Sequence, residues 1–306
     1  MQHFLDNNQT HVGWDRSFKP RLFINSGEEV TFECHEGAGG QVTTQTTSAD
    51  LLLVDRSRIH TLTGPVYINE AEPGDVLEIE SLDFQHKGFG FTYLTPGGVL
   101  SDEFTQPYIH QWVLDEAGCH FNDSIVVPYE PFCGTMGVAP QQDGCFVTYP
   151  PRENGGNMDI KGLGVGSKLW LPVWVPGALF STGDCHGAQG DGEVCGTAIE
   201  CPMIVTFRFN LIKGWSLPEP QLLAASPLTT VDTAGYYVTT GHGEDLLENA
   251  RTAVRYMIEY LVKRSGLSRE EAYVLCSAAV DLKISNAVCL PNRIVSAYLP
   301  LSIFRD

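Results

Sequence analysis

The chain has 306 residues, with 19 Lys and Arg against 37 Asp and Glu and a formal net charge of −18. A hydrophobic fraction of 43% supplies material for a packed core, and 18% charged residues is too few for a disordered polyelectrolyte. The acidic excess, broken only by isolated basic pairs such as Lys263-Arg264, argues against a phosphate-backbone reader, so no nucleic-acid partner is expected.

The length suits one large domain or two ordinary ones. No apolar run approaches the roughly 18 to 20 residues of a membrane helix, and Met1 to Ser17 lacks the apolar centre of a signal peptide. The expectation is a soluble cytoplasmic protein with no membrane partner. The nine cysteines form no C-x-x-C pair and follow no regular spacing, which points to reduced, buried small hydrophobes rather than a disulfide scaffold or zinc finger.

In chain order, the first chemistry-bearing stretch is Glu33-Cys34-His35-Glu36, followed by glycines at 37, 39 and 40 and then Gln41. A strand over Val30 to Cys34 running into that turn could present Glu36, and with it His35, to a site, while Gln41 could orient an amide. The glycine spacing matches neither G-x-G-x-x-G nor the Walker pattern, so nucleotide binding is disfavoured. His60, near Gly64-Pro65, is a lesser candidate. A lone histidine is more often hydrogen-bonded structure, the reading given to His86, His110, His120 and His242.

Val76 to Phe84 alternates apolar and acidic residues and predicts a half-buried strand. Lys168 to Val175 is more continuously apolar and predicts a core strand interrupted by Pro172. Ser181 to Glu200 is the most unusual segment, carrying Asp184, His186, Gln189, Asp191, Glu193 and Glu200 among five glycines. On an extended backbone Asp184 and His186 leave the same face, which suits two ligands of one divalent metal such as zinc. Cys185 would face the other way and serve as buried filler. A bland alternative stays open, because Asp191-Gly192 is also a common hairpin turn and loops rich in acids are often merely solvated.

Val205, Phe207, Phe209 and Leu211 alternate with polar residues and predict another strand. Beyond a soft boundary near 220, at Pro218 and Pro220, the pattern turns helical. Leu247, Ala250, Val254, Met257, Ile258 and Leu261 form one stripe over Glu244 to Arg264, closed by Gly266. Ser268 and Glu271 make a capping box for a second helix, Arg269 to about Leu282, and a β-branched stretch near Ile294 to Leu299 rejoins a sheet. The reading is an α+β, β-rich chain: a catalytic region over 1–220 and a C-terminal α+β region with a helical pair over 221–306 packed on it. No G-x-S-x-G elbow and no H-E-x-x-H helix occurs.

Several collinear segments carry a resemblance. They include His11 to Ser17, Val30 to Gln41, Thr63 to Tyr67, Ala71 to Leu77, Gly137 to Pro140, Glu153 to Asp159, Gly183 to Glu200 and Ser277 to Lys283. In these the chain resembles the acetamidase/formamidase family of small-amide hydrolases over nearly its whole length. The resemblance implies a β-sandwich-like architecture, a homo-oligomer, a divalent metal, and hydrolysis of an amide such as formamide or acetamide to carboxylate and ammonia. Glu36 stands where relatives commonly carry Asp, and the metal set so implied is Glu36, Asp184 and His186. Glu36, Glu193 or Glu200 could move the proton, and Gln41 or Gln189 could hold the amide. The alternatives are a larger or N-substituted amide, or a non-catalytic protein holding structural calcium in its acidic loops.

Overall fold

A computed structural model describes residues 1–94, 98–225, 234–288 and 291–305. Sheet I has six strands in the order Gln2–Leu5, Glu29–Cys34, Met203–Ile212, Val76–His86, Lys168–Pro172 and Gln221–Leu223. Sheet II runs Gly155–Asn157, Phe132–Gly137, Phe180–His186, Leu62–Ile68 and Thr10–His11, with Leu22–Ile24 also paired to Leu62–Ile68. The two pack face to face as a sandwich. Phe32 and Phe207 of sheet I meet Phe180 of sheet II with ring centroids 5.9 and 6.2 Å apart, and all three rings are fully buried.

The alternation read along Val205 to Leu211 is what makes this possible. Val205, Phe207 and Phe209 are buried on one face, while Arg208 faces out to pair with Glu29 and Glu80. The strand expected over Val76 to Phe84 extends to His86, and the one beginning at Lys168 stops at Pro172, where the ring removes a ladder donor. A four-stranded sheet, Ile125–Val127, Gly118–Asn122, Ile109–Asp115 and Phe89–Tyr93, flanks the sandwich.

The C-terminal part has two helices, α1 (Leu246–Ser265) and α2 (Arg269–Ala279), and a sheet ordered Tyr236–Gly243, Arg293–Pro300, Asp281–Asn286. Helix α1 starts two residues later than Glu244 because the Asp245 side chain accepts from the Leu247 and Glu248 amides, and Gly266 closes it at φ +65°. The Ser268 and Glu271 capping box is formed. Helix α2 ends at Ala279, short of Leu282, because the chain turns directly into a strand at Asp281. Leu247 is exposed, whereas the other five apolar residues of the α1 stripe are buried. Neither helix is long and apolar enough to cross a membrane. Among the described cysteines only Cys145 is exposed, the rest are buried and unbridged, and Cys289 lies outside the described residues.

His110 is stacked on Phe121 at 3.9 Å and edge-on to Trp112 at 5.1 Å. Burial pushes its imidazole down to about 4, against the opposing pull of the Glu271 carboxylate. An unfolded histidine takes up a proton near pH 6.5. Between pH 6.5 and 4 the unfolded chain therefore binds a proton that the folded one refuses, and stability falls as pH falls through that window. His110→Phe should flatten the fall in melting temperature between pH 6.5 and 4; an unchanged slope would sink this assignment.

Candidate active site

Phe180–His186, buried along its whole length, delivers Asp184 and His186 to the centre of the site. Their side chains converge as expected, with His186 Nε2 3.5 Å from Asp184 Oδ1, but Asp184 reaches this position on a left-handed backbone at φ +56° and not on the extended one the alternation assumed. Cys185 points the other way, with its Sγ 3.5 Å from that of Cys133. Glu200 arrives from a bridge to His186 and places Oε1 3.4 Å from His186 Nε2. Its two oxygens also accept from the backbone amides of Gly37, at 3.2 Å, and Ala198, at 3.2 Å.

Asp159 and Glu193 approach the same imidazole. One ligand atom from each of Asp184, His186 and Glu200 lies within 4.8 Å of the others, and the same holds for Asp159, His186 and Glu193. His60 completes the surround, its Nε2 3.9 Å from Asp184 Oδ2 and its ring stacked on Tyr149 at 5.7 Å. The Thr135 hydroxyl lies 2.8 Å from Asn157 Oδ1 and 3.0 Å from Asp184 Oδ2, and Asn157 Nδ2 donates to Asp159 Oδ2 at 2.7 Å.

Two kinds of backbone allow this crowding. His60, Asp159, Asp184 and Glu193 all have left-handed φ values, +55°, +49°, +56° and +42°. Such conformations cost an L-residue about 1 kcal/mol or more and concentrate where function requires them. Gly134 and Gly37 supply space. A Cβ on Gly134 would sit 2.5 Å from Asp159 Oδ1 and 2.6 Å from His186 Cε1, and one on Gly37 would sit 2.7 Å from Glu200 Oε2.

The electrostatics follow from burial and crowding. Burial pushes the Asp159 carboxyl up to about 7, although His186 pulls it down, and drives Glu193 up to about 8 with Asp159 reinforcing the effect. Burial also raises Glu36 and, strongly, Glu200. Burial would raise Asp184 too, but the His60 and His186 imidazoles hold it below the usual carboxylate range. Burial opposes a charged His186, yet Glu200 and Asp184 outweigh it and raise the imidazole well above its ordinary value.

The donor set fits a divalent cation. Both ring nitrogens of His186 are buried with no hydrogen-bond partner, as are Glu36 Oε1 and Asp159 Oδ1. Imidazole with several carboxylates is a mixed set that zinc-like ions accept.

The candidates read from the sequence divide. Asp184, His186, Glu193 and Glu200 come together. Glu36 is buried beside them but belongs to neither triad, its Oε2 accepting from the Gly40 amide at 2.8 Å. Gln189 donates to the Asp159 carbonyl at 2.9 Å and leaves its Oε1 without a partner. Gln41 stands apart. Its amide nitrogen donates to the Ala38 and Asp55 carbonyls and its oxygen accepts from the Asp55 amide, so it staples two loops. Asp191 lies off the centre, 3.9 Å from Lys161 Nζ, and His35 is turned toward Asn7 at 3.5 Å. No local sequence pattern marks Asp159, Thr135, Gly37 or Gly134 as individual site residues. Asp159 closes the Glu153 to Asp159 segment, which was a signal; Thr135 has none.

The four carboxylates of the triads line the foot of a cavity of about 1240 Å³. His60, Tyr93, Asp159, Asp184, Glu193 and Glu200 line its depth, while Leu51, Leu52, Val54, Ile59, Val147 and Tyr149 give its walls an apolar character.

A strand-rich sandwich with a buried cluster of carboxylates and imidazole at the foot of a cavity is the frame of a hydrolase. The sequence profile of the Acetamidase/Formamidase family matches residues 2–145 and 143–306, and the chain belongs to that family of amidohydrolases. It is 29% identical to a formamidase of Methylophilus methylotrophus, over 97% of this chain and 89% of that protein. Among solved structures, a γ-lactamase from Delftia acidovorans superposes with a TM-score of 0.89 at 27% identity, covering 100% of this chain and 94% of its own. An acetamidase from Bacillus halodurans gives 0.69 at 31% identity, covering 97% of both chains.

The atoms that an added methyl group would strike at Gly134 are side-chain ends, which can move without unfolding the sheet. Gly134→Ala should therefore shift the melting temperature by only a few degrees while lowering hydrolytic activity by about 100-fold, since about 1 Å of misplacement costs that much. Full activity in this variant would contradict the packing described.

Proposed function

We propose that this chain hydrolyses the C–N bond of a small linear carboxamide, of the formamide or acetamide type, to a carboxylate and ammonia. The observation that carries the reading is His186, buried with neither ring nitrogen hydrogen-bonded and two pairs of carboxylates converging on it. The family membership and the names of the relatives support the same reaction class.

An unactivated amide needs an activated water, stabilisation of the tetrahedral oxyanion, and a proton for the departing nitrogen. Asp184, His186 and Glu200 would hold a divalent ion, for which zinc is our choice. When bound, such an ion supplies a Lewis acid that polarises a carbonyl and lowers the pKa of water towards about 7. Glu36 is the group we assign to the proton. Its Oε1 is buried without a partner and its Oε2 is anchored by the Gly40 amide, so the carboxyl can take a proton from water and return it to the leaving nitrogen. Gln189 Oε1 is also unpartnered, but Gln189 lines a separate small pocket beside Lys161 and Asp281 rather than the large cavity, so this scheme gives it no contact with the substrate and its amide serves to hold the Asp159 carbonyl. Cys185 faces away from the cavity, so water is the nucleophile in this scheme.

Ammonia release from formamide, acetamide and propionamide, before and after chelation and with zinc restored, tests the reading. His186→Ala and Asp184→Ala should each lose at least about 100-fold in kcat/KM, a range typical for removal of a group that stabilises the transition state. Undiminished release in either variant would eliminate the metal-centred version. Turnover of no amide together with a chelator-induced fall in melting temperature would instead assign the ion a structural role.

A second reading, a cyclic amide, is favoured by one specific contrast: the γ-lactamase superposes at 0.89 and the acetamidase at 0.69. A cavity of about 1240 Å³ also exceeds what formamide needs. If this reading holds, ring opening of a γ-lactam should proceed with a higher kcat/KM than acetamide hydrolysis. The reverse order would return the assignment to linear amides.

A further inference from the structure

Asp159 and Glu193 both sit at left-handed φ; Asn157 Nδ2 donates to the Asp159 carboxylate and the Glu193 amide to the Gly190 carbonyl, but these local bonds do not set the two segments relative to each other around His186. The support comes from the C-terminal part of the chain. Asp281, at the start of its strand after α2, pairs through Oδ1 with Lys161 Nζ, and the same oxygen accepts from the Asp191 amide at 3.0 Å. Lys161 lies two residues after Asp159, and Asp191 two residues before Glu193. One carboxylate thus grips the two segments that carry the second pair of acids. The Leu282 amide returns the contact by donating to the Asp191 carbonyl at 2.8 Å.

The grip is enclosed. Asp281 is 9% exposed and the Lys161 side chain 12%, so the ion pair is shielded from the solvent screening that makes surface pairs weak. Gly190 is fitted against the same turn: its amide donates to the Ser277 carbonyl at 2.8 Å, and a Cβ there would strike the Val280 carbonyl oxygen. Ser277 Oγ accepts from the Cys195 amide at 3.1 Å and donates to the Thr197 carbonyl at 2.6 Å, fixing the far end of the loop that carries Glu193.

We propose that Asp281 is a positioning residue for the reaction. Through Lys161 and the Asp191 amide it sets Asp159 and Glu193 in register against His186, without itself touching the substrate. The catalytic side of this inference rests on the amide-hydrolysis reading above, whereas the clamp itself does not.

The test combines kinetics with amide hydrogen exchange on Asp281→Ala and Asp281→Asn, assayed well below each variant's melting temperature. Asp281→Ala should lower kcat by about 10- to 100-fold with KM for the amide changed by no more than about twofold, because geometry at the reacting atoms is lost while the cavity is kept. Exchange should accelerate over 188–197 and 159–163 and stay unchanged in the sandwich strands. Asp281→Asn retains an acceptor for the Asp191 amide but not the charge for Lys161, so it should fall between wild type and Asp281→Ala in both readouts. It also keeps the test open should the alanine variant not fold. Wild-type exchange in those two segments, or wild-type kcat, in Asp281→Ala would overturn the proposal. So would acceleration spread over the whole chain. If the wild-type protein turned over no amide, the functional reading would fall, and the exchange pattern would still decide whether Asp281 holds the two segments.

Discussion

The structure turns on the meeting of Asp184, Glu200, Asp159 and Glu193 around one buried imidazole. Two carboxylates about 4 Å apart repel by about 4 kcal/mol at an effective dielectric of about 20. That exceeds the roughly 1 kcal/mol cost of a single left-handed residue. Like charges so placed persist only where protons are shared or a cation is held. Burial, reinforced by that repulsion, displaces the Asp159, Glu193 and Glu200 carboxyls upward. The lowered Asp184 marks the carboxylate that the two imidazoles favour most. The sandwich serves this cluster. Phe32, Phe180, Phe207 and Phe209 lock the two sheets, so the strand bearing Asp184 and His186 has a rigid apolar backing on which strain can be held.

How much of this was legible in the sequence depended on how local its cause was. The spacing of two between Asp184 and His186 pointed to their meeting, although Asp184 makes it on a left-handed backbone that no local pattern announces, and the capping of α1 and α2 follows from residues within one turn of each helix end. Val205, Phe207 and Phe209 announced their buried face in the same local way. Gly37, by contrast, matters because Glu200 sits opposite it, 163 residues away. No local pattern reports that approach. His60 looked like an ordinary histidine because its left-handed backbone and its stacking on Tyr149 are tertiary facts. Gln41, which residue type recommended as an amide holder, is held by the Asp55 backbone, a contact 14 residues away. Asp159 lay between these cases: it was part of a matching segment, but nothing in that segment said which residue would reach the imidazole.

The cavity adds a second division, between its foot and its walls. The carboxylates of Asp159, Asp184, Glu193 and Glu200 line the foot, where Glu200 and Asp184 act on Tyr93. Further out, Leu51, Leu52, Val54, Ile59, Val147 and Tyr149 offer little to a substrate that is all amide. A one-carbon amide would draw its binding from the foot alone. An amide with an apolar acyl chain or ring would bury surface against the walls, at about 25 cal/mol per Å². The chemistry at the foot is the same for both, so discrimination between them belongs to the walls.

The C-terminal helices and their sheet are better understood through this division than as an appendage. Their strand residues are partly exposed, and the edge strand beginning at Asp281 has Ile284 facing solvent. Yet the turn from Ser277 to Leu282 is buried against the loop that supplies Glu193, with hydrogen bonds running in both directions. A loop rich in glycine has little intrinsic reason to hold one shape, since its conformational entropy is the largest the chain can offer. Gripping it from a separate element moves the cost of ordering it away from the strand that carries Asp184 and His186. The acids nearest the chemistry can then be crowded by the sandwich, while the second pair is set by a carboxylate that never enters the cavity.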